Sequence, residues 1–196
     1  LIGNALEFLS SVVSRPQHKQ LFESPETLQK LCELIILPNI QLSSNDEELF
    51  EDNPEEYIRH DLEGSDAHTR RKSACNLVCA LCEAFEGPVI SNFATYITHL
   101  LSQYEAAVAA GTASVSSASW GAKDSALLLV TSLASRGKTE KLGVTSSSEL
   151  VNIPTFFESH VLPELQNPAA HLILWAKVFV PFPDNIDFAS LQQDSP

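Results

Sequence analysis

The sequence contains no methionine, and its first residue is Leu1. Because an intact chain normally begins with methionine, we expect these 196 residues to be an internal segment of a longer protein. No long uninterrupted apolar run is present: residues 169–182 form the longest one, and His171, Lys177 and Pro181 interrupt it. This run is shorter than the roughly 20 residues that a membrane-spanning helix needs. We therefore expect a soluble segment without a secretory leader and without membrane insertion.

Basic residues are scarce, with 12 Lys and Arg against 25 Asp and Glu, and the formal net charge is −13. Nucleic-acid binding depends on clustered cations that neutralise phosphates, so the composition argues against a nucleic-acid partner. A surplus of acid favours partners with basic surfaces. The four cysteines lie within apolar helical patterns and do not form the spaced framework of a secreted protein. We therefore expect a reducing compartment, the cytosol or the nucleus.

Catalytic motifs are also missing: the sequence has no GxSxG, HExxH or GxxxxGK[ST], and its seven glycines do not cluster. Cys75, Cys79 and Cys82 share one helical face, and the last two form a CxxC. This CxxC lies in the last turns of a predicted helix, where the helix dipole does not lower a thiol pKa. No paired His or Cys spacing indicates a zinc site. We predict core cysteines, no cofactor, no metal and no enzymatic activity.

Apolar residues recur every three to four positions along most of the chain, which predicts an all-α fold. Ser24 and Pro25 suit the start of a helix, Gly87 and Pro88 suit an end, and Pro154 suits a bend or restart. A stretch rich in alanine and serine, residues 105–119, is predicted to be a loop. The predicted helices are residues 2–13, 27–37, 65–85, 89–104, 120–135 and 148–165.

Two internal overlays indicate repeated helical hairpins. Residues 71–81 (RKSACNLVCAL) overlay residues 123–133 (KDSALLLVTSL), and residues 33–40 (ELIILPNI) overlay residues 158–165 (ESHVLPEL). Hairpins that repeat at about 40 to 50 residues are typical of helical solenoids. We predict an α-α superhelix of three to four hairpins, although a globular helical bundle with chance similarity is an alternative. The predicted organisation is a repeat segment at 1–165, an acidic insertion at 41–65, and a C-terminal helix with a divergent tail at 166–196.

Residues 46–66 hold ten of the 25 acidic residues. Such a run is usually a solvated loop. However, Leu49, Phe50, Tyr57, Ile58 and Leu62 lie between the acids, which favours a contact surface. The positive charges of Arg70, Arg71 and Lys72 follow at a predicted helix start and oppose the helix dipole there. We expect them to pair either with the acidic insertion or with an anionic patch on a partner. The predicted partner-binding residues are Asp46, Glu47, Glu48, Glu51, Asp52, Glu55, Glu56, Arg59, Asp61, Glu63, Arg70 and Arg71.

One long run, EDNPEEYIRHDLEGSDAHTRRKSACNLVCALCEAFEGPV, resembles the CAS-type exportins of the karyopherin-β family. The segments ALEFLSSV before it, and KDSALLLVTSLASRG and ELVNIPTFFESHVLPEL after it, support the resemblance. The Ala/Ser-rich loop is longer and plainer than the family leads us to expect, and residues 169–196 have no clear counterpart in the family.

The resemblance implies HEAT repeats from the middle of an arch that binds Ran-GTP and importin-α and shuttles between nucleus and cytoplasm. Nucleoporins are further candidate partners. The acidic insertion would lie between the A and B helices of one repeat, where such arches contact Ran or flex. The alternatives are a HEAT scaffold of another kind, such as an importin or a phosphatase-type subunit, and an enzyme with a site at Cys79 and Cys82.

Overall fold

The computed structural model describes residues 1–59, 69–112, 117–134, 153–167 and 170–179. Every regular element in these ranges is helical, so the predicted all-α fold class is confirmed. The α-helices are α1 (Ile2–Val13), α2 (Pro25–Lys30), α3 (Leu37–Ile40), α4 (Ser44–Asp52), α5 (Pro54–Tyr57), α6 (Arg70–Ala109), α7 (Ser117–Ala134), α8 (Ile153–Phe156), α9 (Leu162–Gln166) and α10 (Leu172–Phe179). A 3₁₀ turn (Pro16–Leu21) follows α1, and two π-helical turns join α2 to α3 (Leu31–Ile36) and α8 to α9 (Phe157–Val161).

The helices form hairpins whose members stack in two rows. The B helices are α1, the first part of α6, α7 and α10; α6 packs between α1 and α7, and α10 packs on α7. The A helices are α2 to α3, the second part of α6, and α8 to α9. A π-helical turn lies within the first and the third A helix, the acidic insertion lies between α3 and the B-helix half of α6, and the break in α6 separates that B helix from the next A helix. The described residues thus contain three successive hairpins, preceded by α1.

The two halves of α6 meet at a break at Phe85, where the backbone has φ −141° and ψ 52°. Pro88 lies three residues further on. Proline has no N–H to donate to the carbonyl of residue 84, and its ring clashes with that carbonyl, so a straight helix is not tolerated here. The predicted helix end at residue 85 is therefore confirmed as a break. The B-helix half and the A-helix half of α6 are thus joined by a kink at Phe85.

The second overlay, of residues 33–40 on 158–165, corresponds to a shared local structure. In both A helices a π-helical turn is followed at once by a Leu-Pro step, Leu37-Pro38 in α3 and Leu162-Pro163 in α9. The missing N–H of each proline removes one regular hydrogen bond, and a widened turn accommodates that loss. Similar sequence at these two positions therefore produces the same irregularity in the first and third hairpins.

Several predicted boundaries require correction. Helix α6 begins at Arg70 and not at residue 65, because Thr69 caps it: its Oγ1 accepts the Lys72 N–H at 3.0 Å. Ser24 occupies the N-cap position of α2, but its side chain makes no cap bond. The Ala/Ser-rich loop is shorter than predicted, since α6 continues to Ala109 and α7 starts at Ser117. Alanine has the highest helix propensity, which favours this extension. Residues 65–68, 148–152 and 180–196 lie outside the described residues.

Helix α6 is long and apolar enough to cross a membrane by length and composition alone, and 44% of its most apolar window is buried inside the structure. Core helices of soluble proteins pass the same test. Here α6 is broken at Phe85 and packs against α1 and α7, which is the position of a core helix. The absence of membrane insertion stays a prediction.

Two cysteines, the buried Cys32 and the half-buried Cys79, give the first testable prediction. Burial raises the pKa of Cys32 to about 12 and that of Cys79 to about 11, so little thiolate forms at neutral pH. We expect both thiols to react with iodoacetamide much more slowly in the native chain than in urea, as counted by mass spectrometry of the labelled peptides. Rapid native labelling of Cys79 would contradict its assignment to core packing.

Candidate partner-binding site

In its described part, residues 41–59, the acidic insertion forms two short helices, α4 and α5, and is not the solvated loop of one of the two hypotheses. Ser43 and Asp46 form a capping box at the start of α4: the Ser43 N–H donates to Asp46 Oδ2 at 2.8 Å, and the Asp46 N–H donates to Ser43 Oγ at 3.4 Å. Asn53 caps α5, because its Oδ1 accepts the Glu56 N–H at 3.2 Å. These caps satisfy backbone donors that would otherwise be exposed at each helix start.

Apolar and acidic side chains of the insertion separate onto two sides. Phe50 is 8% exposed and Tyr57 only 1%, and their rings meet edge to face at a centroid distance of 5.4 Å. Both belong to a core cluster with Tyr104, Trp120 and residues of the third hairpin. Glu48, Glu51, Asp52, Glu55, Glu56 and Arg59 are exposed, whereas Asp46 and Glu47 are half-buried. The insertion therefore presents a row of carboxylates on an anchored apolar base.

The insertion lies along the edge of the stack where A helices end and B helices begin. The Phe50 ring is 6.3 Å from the His171 ring, just before α10, and His171 in turn stacks on Trp120 of α7 at 3.9 Å. A groove of about 500 Å³ runs between the insertion and the start of α10. The insertion thus extends from its own hairpin across the second hairpin to the third.

Arg70 joins the insertion to the end of α3. Its guanidinium donates to the carbonyls of Pro38 at 2.7 Å and Gln41 at 2.6 Å, and it pairs with Asp46 at 3.2 Å. A cation at a helix C-terminus satisfies free carbonyls and interacts favourably with the dipole of that helix. The predicted pairing between this basic cluster and the insertion is therefore confirmed for Arg70 and Asp46.

Arg71 is only 2% exposed, so it lies in the core and cannot contact a partner directly in this conformation. Its Nε donates to the Ile40 carbonyl at 2.8 Å, its Nη1 donates to the Tyr57 hydroxyl at 3.0 Å, and its Nη2 pairs with Asp124 of α7. The sequence predicted that Arg71 pairs with the acidic insertion or with an anionic patch on a partner. Among the described residues, its acidic partner is Asp124 from the next hairpin, and the insertion contributes the Tyr57 hydroxyl. Residues 61, 63 and 66 lie outside the described residues, so a pairing of Arg71 with an acid of that part of the chain stays a prediction.

The Asp124 carboxylate is fully buried, and Lys177 of α10 donates to its second oxygen at 2.7 Å. Burial alone would raise the pKa of Asp124, but attraction to Arg71 and Lys177 outweighs this and holds the pKa below its usual range. One carboxylate therefore connects the B helices of three successive hairpins. Nothing in the local sequence around Asp124 marks it for this role, because both partners are distant in the chain.

The preceding residue, Lys123, belongs to a second buried network. It lies 3.3 Å from Glu164 of α9 and 4.8 Å from the centre of the Tyr104 ring, and the Tyr104 hydroxyl donates to Glu164 at 2.8 Å. Burial lowers the pKa of Lys123, and the charge of Glu164 opposes that shift. In the overlay of residues 71–81 on 123–133, Lys123 is the counterpart of Arg71, so each of two adjacent B helices buries a cation at the same position.

The predicted site residues do not all come together. Asp61 and Glu63 lie outside the described residues, and Arg71 is internal, while the other predicted acids, Arg59 and Arg70 lie on or beside the insertion. Asp124 and Glu164 were missed, and Tyr57 was noted only as one of the apolar residues between the acids and not as a partner of Arg71. Among the described residues, no group of three or more His, Cys, Asp or Glu side chains could hold a metal ion. The geometry is that of an acidic surface on an anchored apolar base.

Comparison with known proteins gives a consistent match. The family model described as Cse1 matches residues 1–181. Exportin-2 from Homo sapiens is 50% identical over 167 residues, which cover 85% of this chain and 16% of that protein. Exportin-2 from Oreochromis niloticus is 51% identical over 168 residues, with 86% and 16% coverage. The solved structure described as the exportin Cse1 in its cargo-free, cytoplasmic state has a TM-score of 0.78 at 34% identity, and the match covers 90% of this chain and 19% of that one. The chain thus spans about one sixth of the length of these relatives.

Replacing Asp124 tests the buried charge link. Asp124→Asn leaves Arg71 and Lys177 buried without their counter-charge, so we expect a loss of about 3–5 kcal/mol in the free energy of unfolding near neutral pH. Because the folded pKa is depressed, the carboxylate stabilises the fold above its unfolded pKa of about 3.9, and this contribution is lost as pH falls through the lower folded value. The measurement is urea denaturation at a series of pH values.

The matched control is Asp52→Asn, which neutralises an exposed acid and should change the free energy of unfolding by no more than about 0.5 kcal/mol. A stability gap between wild type and Asp124→Asn that stays constant into the acid range would contradict the charge link.

The second network gives a separate test. Lys123→Met leaves Glu164 charged and buried without its cation, and we expect a loss of about 3–5 kcal/mol. In the double variant Lys123→Met/Glu164→Gln, the uncompensated charge is gone, and the amide oxygen can still accept from Tyr104. We expect the double variant to be more stable than the single one in urea denaturation. Equal stability of the two variants would argue against a charged pair at this position.

Proposed function

The chain belongs to the Cse1 family, and from this we propose that the protein containing it is a nuclear export receptor that binds importin-α and Ran-GTP together. The observation that carries the proposal is the identity of about half of the residues to exportins, over a stretch that includes both the hairpins and the acidic insertion. The receptor would return importin-α to the cytoplasm and shuttle between the nucleus and the cytoplasm. Nucleoporins would be transient partners during passage.

The proposed mechanism is binding without chemistry. An arch of hairpins that encloses two ligands at once becomes ordered when the first one binds, so the second binds to a scaffold that is already arranged for it. Hydrolysis of GTP by Ran would remove one ligand and weaken the other. This positive coupling lets a helical scaffold carry cargo in one direction although the scaffold itself has no catalytic group.

Within this scheme, we assign the acidic insertion to the recognition of basic partner surfaces. The carboxylates of α4 and α5 are exposed on a base that is fixed to three hairpins, and the chain as a whole carries a net charge of −13. A fixed array of one sign raises the rate of encounter with the opposite sign and orients the docking partner. Basic segments of importin-α or basic patches of Ran are the partners that fit this charge.

The test of the export function is a pull-down with the full-length protein. We expect immobilised receptor to retain importin-α only when GTP-loaded Ran is present, because each ligand orders the scaffold for the other. GDP-loaded Ran is the control and should give background retention. Retention of importin-α that does not depend on the nucleotide would overturn the export assignment and favour an importin-like or general scaffold.

A further inference from the structure

We propose that Tyr57 is a positioning residue for partner binding: its buried hydroxyl, held by Arg71, fixes the carboxylates of α4 and α5 in one arrangement relative to the hairpins. This inference rests on the proposed role of the acidic insertion in recognising basic surfaces. Tyr57 itself would touch no partner. It would act through the acids that share its short helices.

The first step concerns the low intrinsic stability of the two short helices α4 and α5. Helix α4 has nine residues and α5 has four, and isolated helices of that length are not stable in water. Their orientation must therefore come from tertiary contacts. In the described part of the insertion, residues 41–59, the buried side chains are Phe50 and Tyr57, and Tyr57 combines its ring contact with a hydrogen bond to the buried Arg71.

The second step concerns the group that holds the hydroxyl. The guanidinium of Arg71 is itself fixed at two further points, the Ile40 carbonyl at the end of α3 and the Asp124 carboxylate of α7. A guanidinium is planar and presents its donors in fixed directions, so two anchored donors determine where the third one points. Tyr57 is thereby placed relative to both the first and the second hairpin.

The third step compares this link with a second polar link in the described part of the insertion. Asp46 and Arg70 pair at 3.2 Å, but their side chains are 32% and 26% exposed, and pairs in contact with solvent contribute little. A buried hydroxyl costs more to leave without a partner. The Tyr57 link therefore holds α5, with Glu55 and Glu56, more strongly than the Asp46–Arg70 pair does.

The fourth step connects orientation to binding. Charges in a fixed arrangement match a complementary surface without first being ordered, whereas the same charges on a loose segment lose binding free energy to that ordering. Tyr57→Phe removes only the hydroxyl and keeps the ring that packs on Phe50. It should loosen the insertion while the hairpins stay folded.

The experiment is a double-mutant cycle in the full-length protein, with binding to GTP-loaded Ran and importin-α measured by surface plasmon resonance. An insertion-neutral variant carries Glu48→Gln, Glu51→Gln, Asp52→Asn and Glu55→Gln, all at exposed positions. We expect Tyr57→Phe to weaken binding about three- to tenfold and to speed amide hydrogen exchange in residues 44–57, but not in α7. In the insertion-neutral background, Tyr57→Phe should cause little further loss, because four of the exposed acids that it positions are gone.

Two controls match these changes. Tyr96→Phe removes a hydroxyl that donates to Glu33 between two A helices, away from the insertion, and should leave binding and the exchange of residues 44–57 unchanged. A variant with Glu23, Glu83, Glu86 and Glu158 changed to Gln neutralises four exposed acids outside the insertion and should bind as the wild type does.

The outcomes separate the two proposals. If the insertion-neutral variant binds as tightly as the wild type, the recognition role of the insertion is wrong. If that variant binds weakly but Tyr57→Phe binds normally, or if the two losses add in full, the positioning role of Tyr57 is wrong. Loss of binding by Tyr57→Phe without faster exchange in residues 44–57 would also overturn the positioning role.

Discussion

The buried carboxylate of Asp124 is the constraint on which the rest of the described structure depends. A charge without access to water must be paired, and this one receives a guanidinium from the preceding B helix and an ammonium from the following one. The same guanidinium reaches back to the end of α3 and outward to the insertion. The spacing of the three hairpins and the placement of the acidic surface thus depend on the same buried carboxylate. Neither a hairpin nor the insertion can shift far without leaving that charge unpaired.

The geometry also explains why basic residues lie at the start of α6, where the dipole of their own helix disfavours a positive charge. In a hairpin the C-terminal carbonyls of the A helix lie beside the N-terminus of the B helix. Arg70 and Arg71 donate to three of those carbonyls, so the dipole of α3 compensates for that of α6. Lys123 occupies the equivalent position in the second hairpin, but its counter-charge is the side chain of Glu164 in α9 of the third hairpin. Because the A and B helices run in opposite directions, a cation between the end of one and the start of the other is favourable.

The sequence predicted the features that depend on near neighbours. The apolar period predicted the helices, Pro88 predicted the break at Phe85, and the Leu-Pro overlay identified two A helices with the same π-helical turn. The sequence did not predict contacts between residues that are distant in the chain. The link from Arg71 to Asp124 spans 53 positions, and no local pattern distinguishes a buried aspartate from the many exposed acids. The insertion was uncertain for a related reason, since its acidic composition indicates a loop and its burial depends on rings from the second and third hairpins. The resemblance to exportins supplied the functional class, which periodicity alone did not.

The break at Phe85 has a consequence for how the stack can bend. Because α6 runs from the first hairpin into the second without a loop, those two hairpins share one continuous backbone element. The helical hydrogen bonds are interrupted at the break, so the packing of α6 on α1 and α7 holds its two halves in place. The connection contains no slack residues, and a change in the angle between the two hairpins therefore has to be accommodated at Phe85 itself.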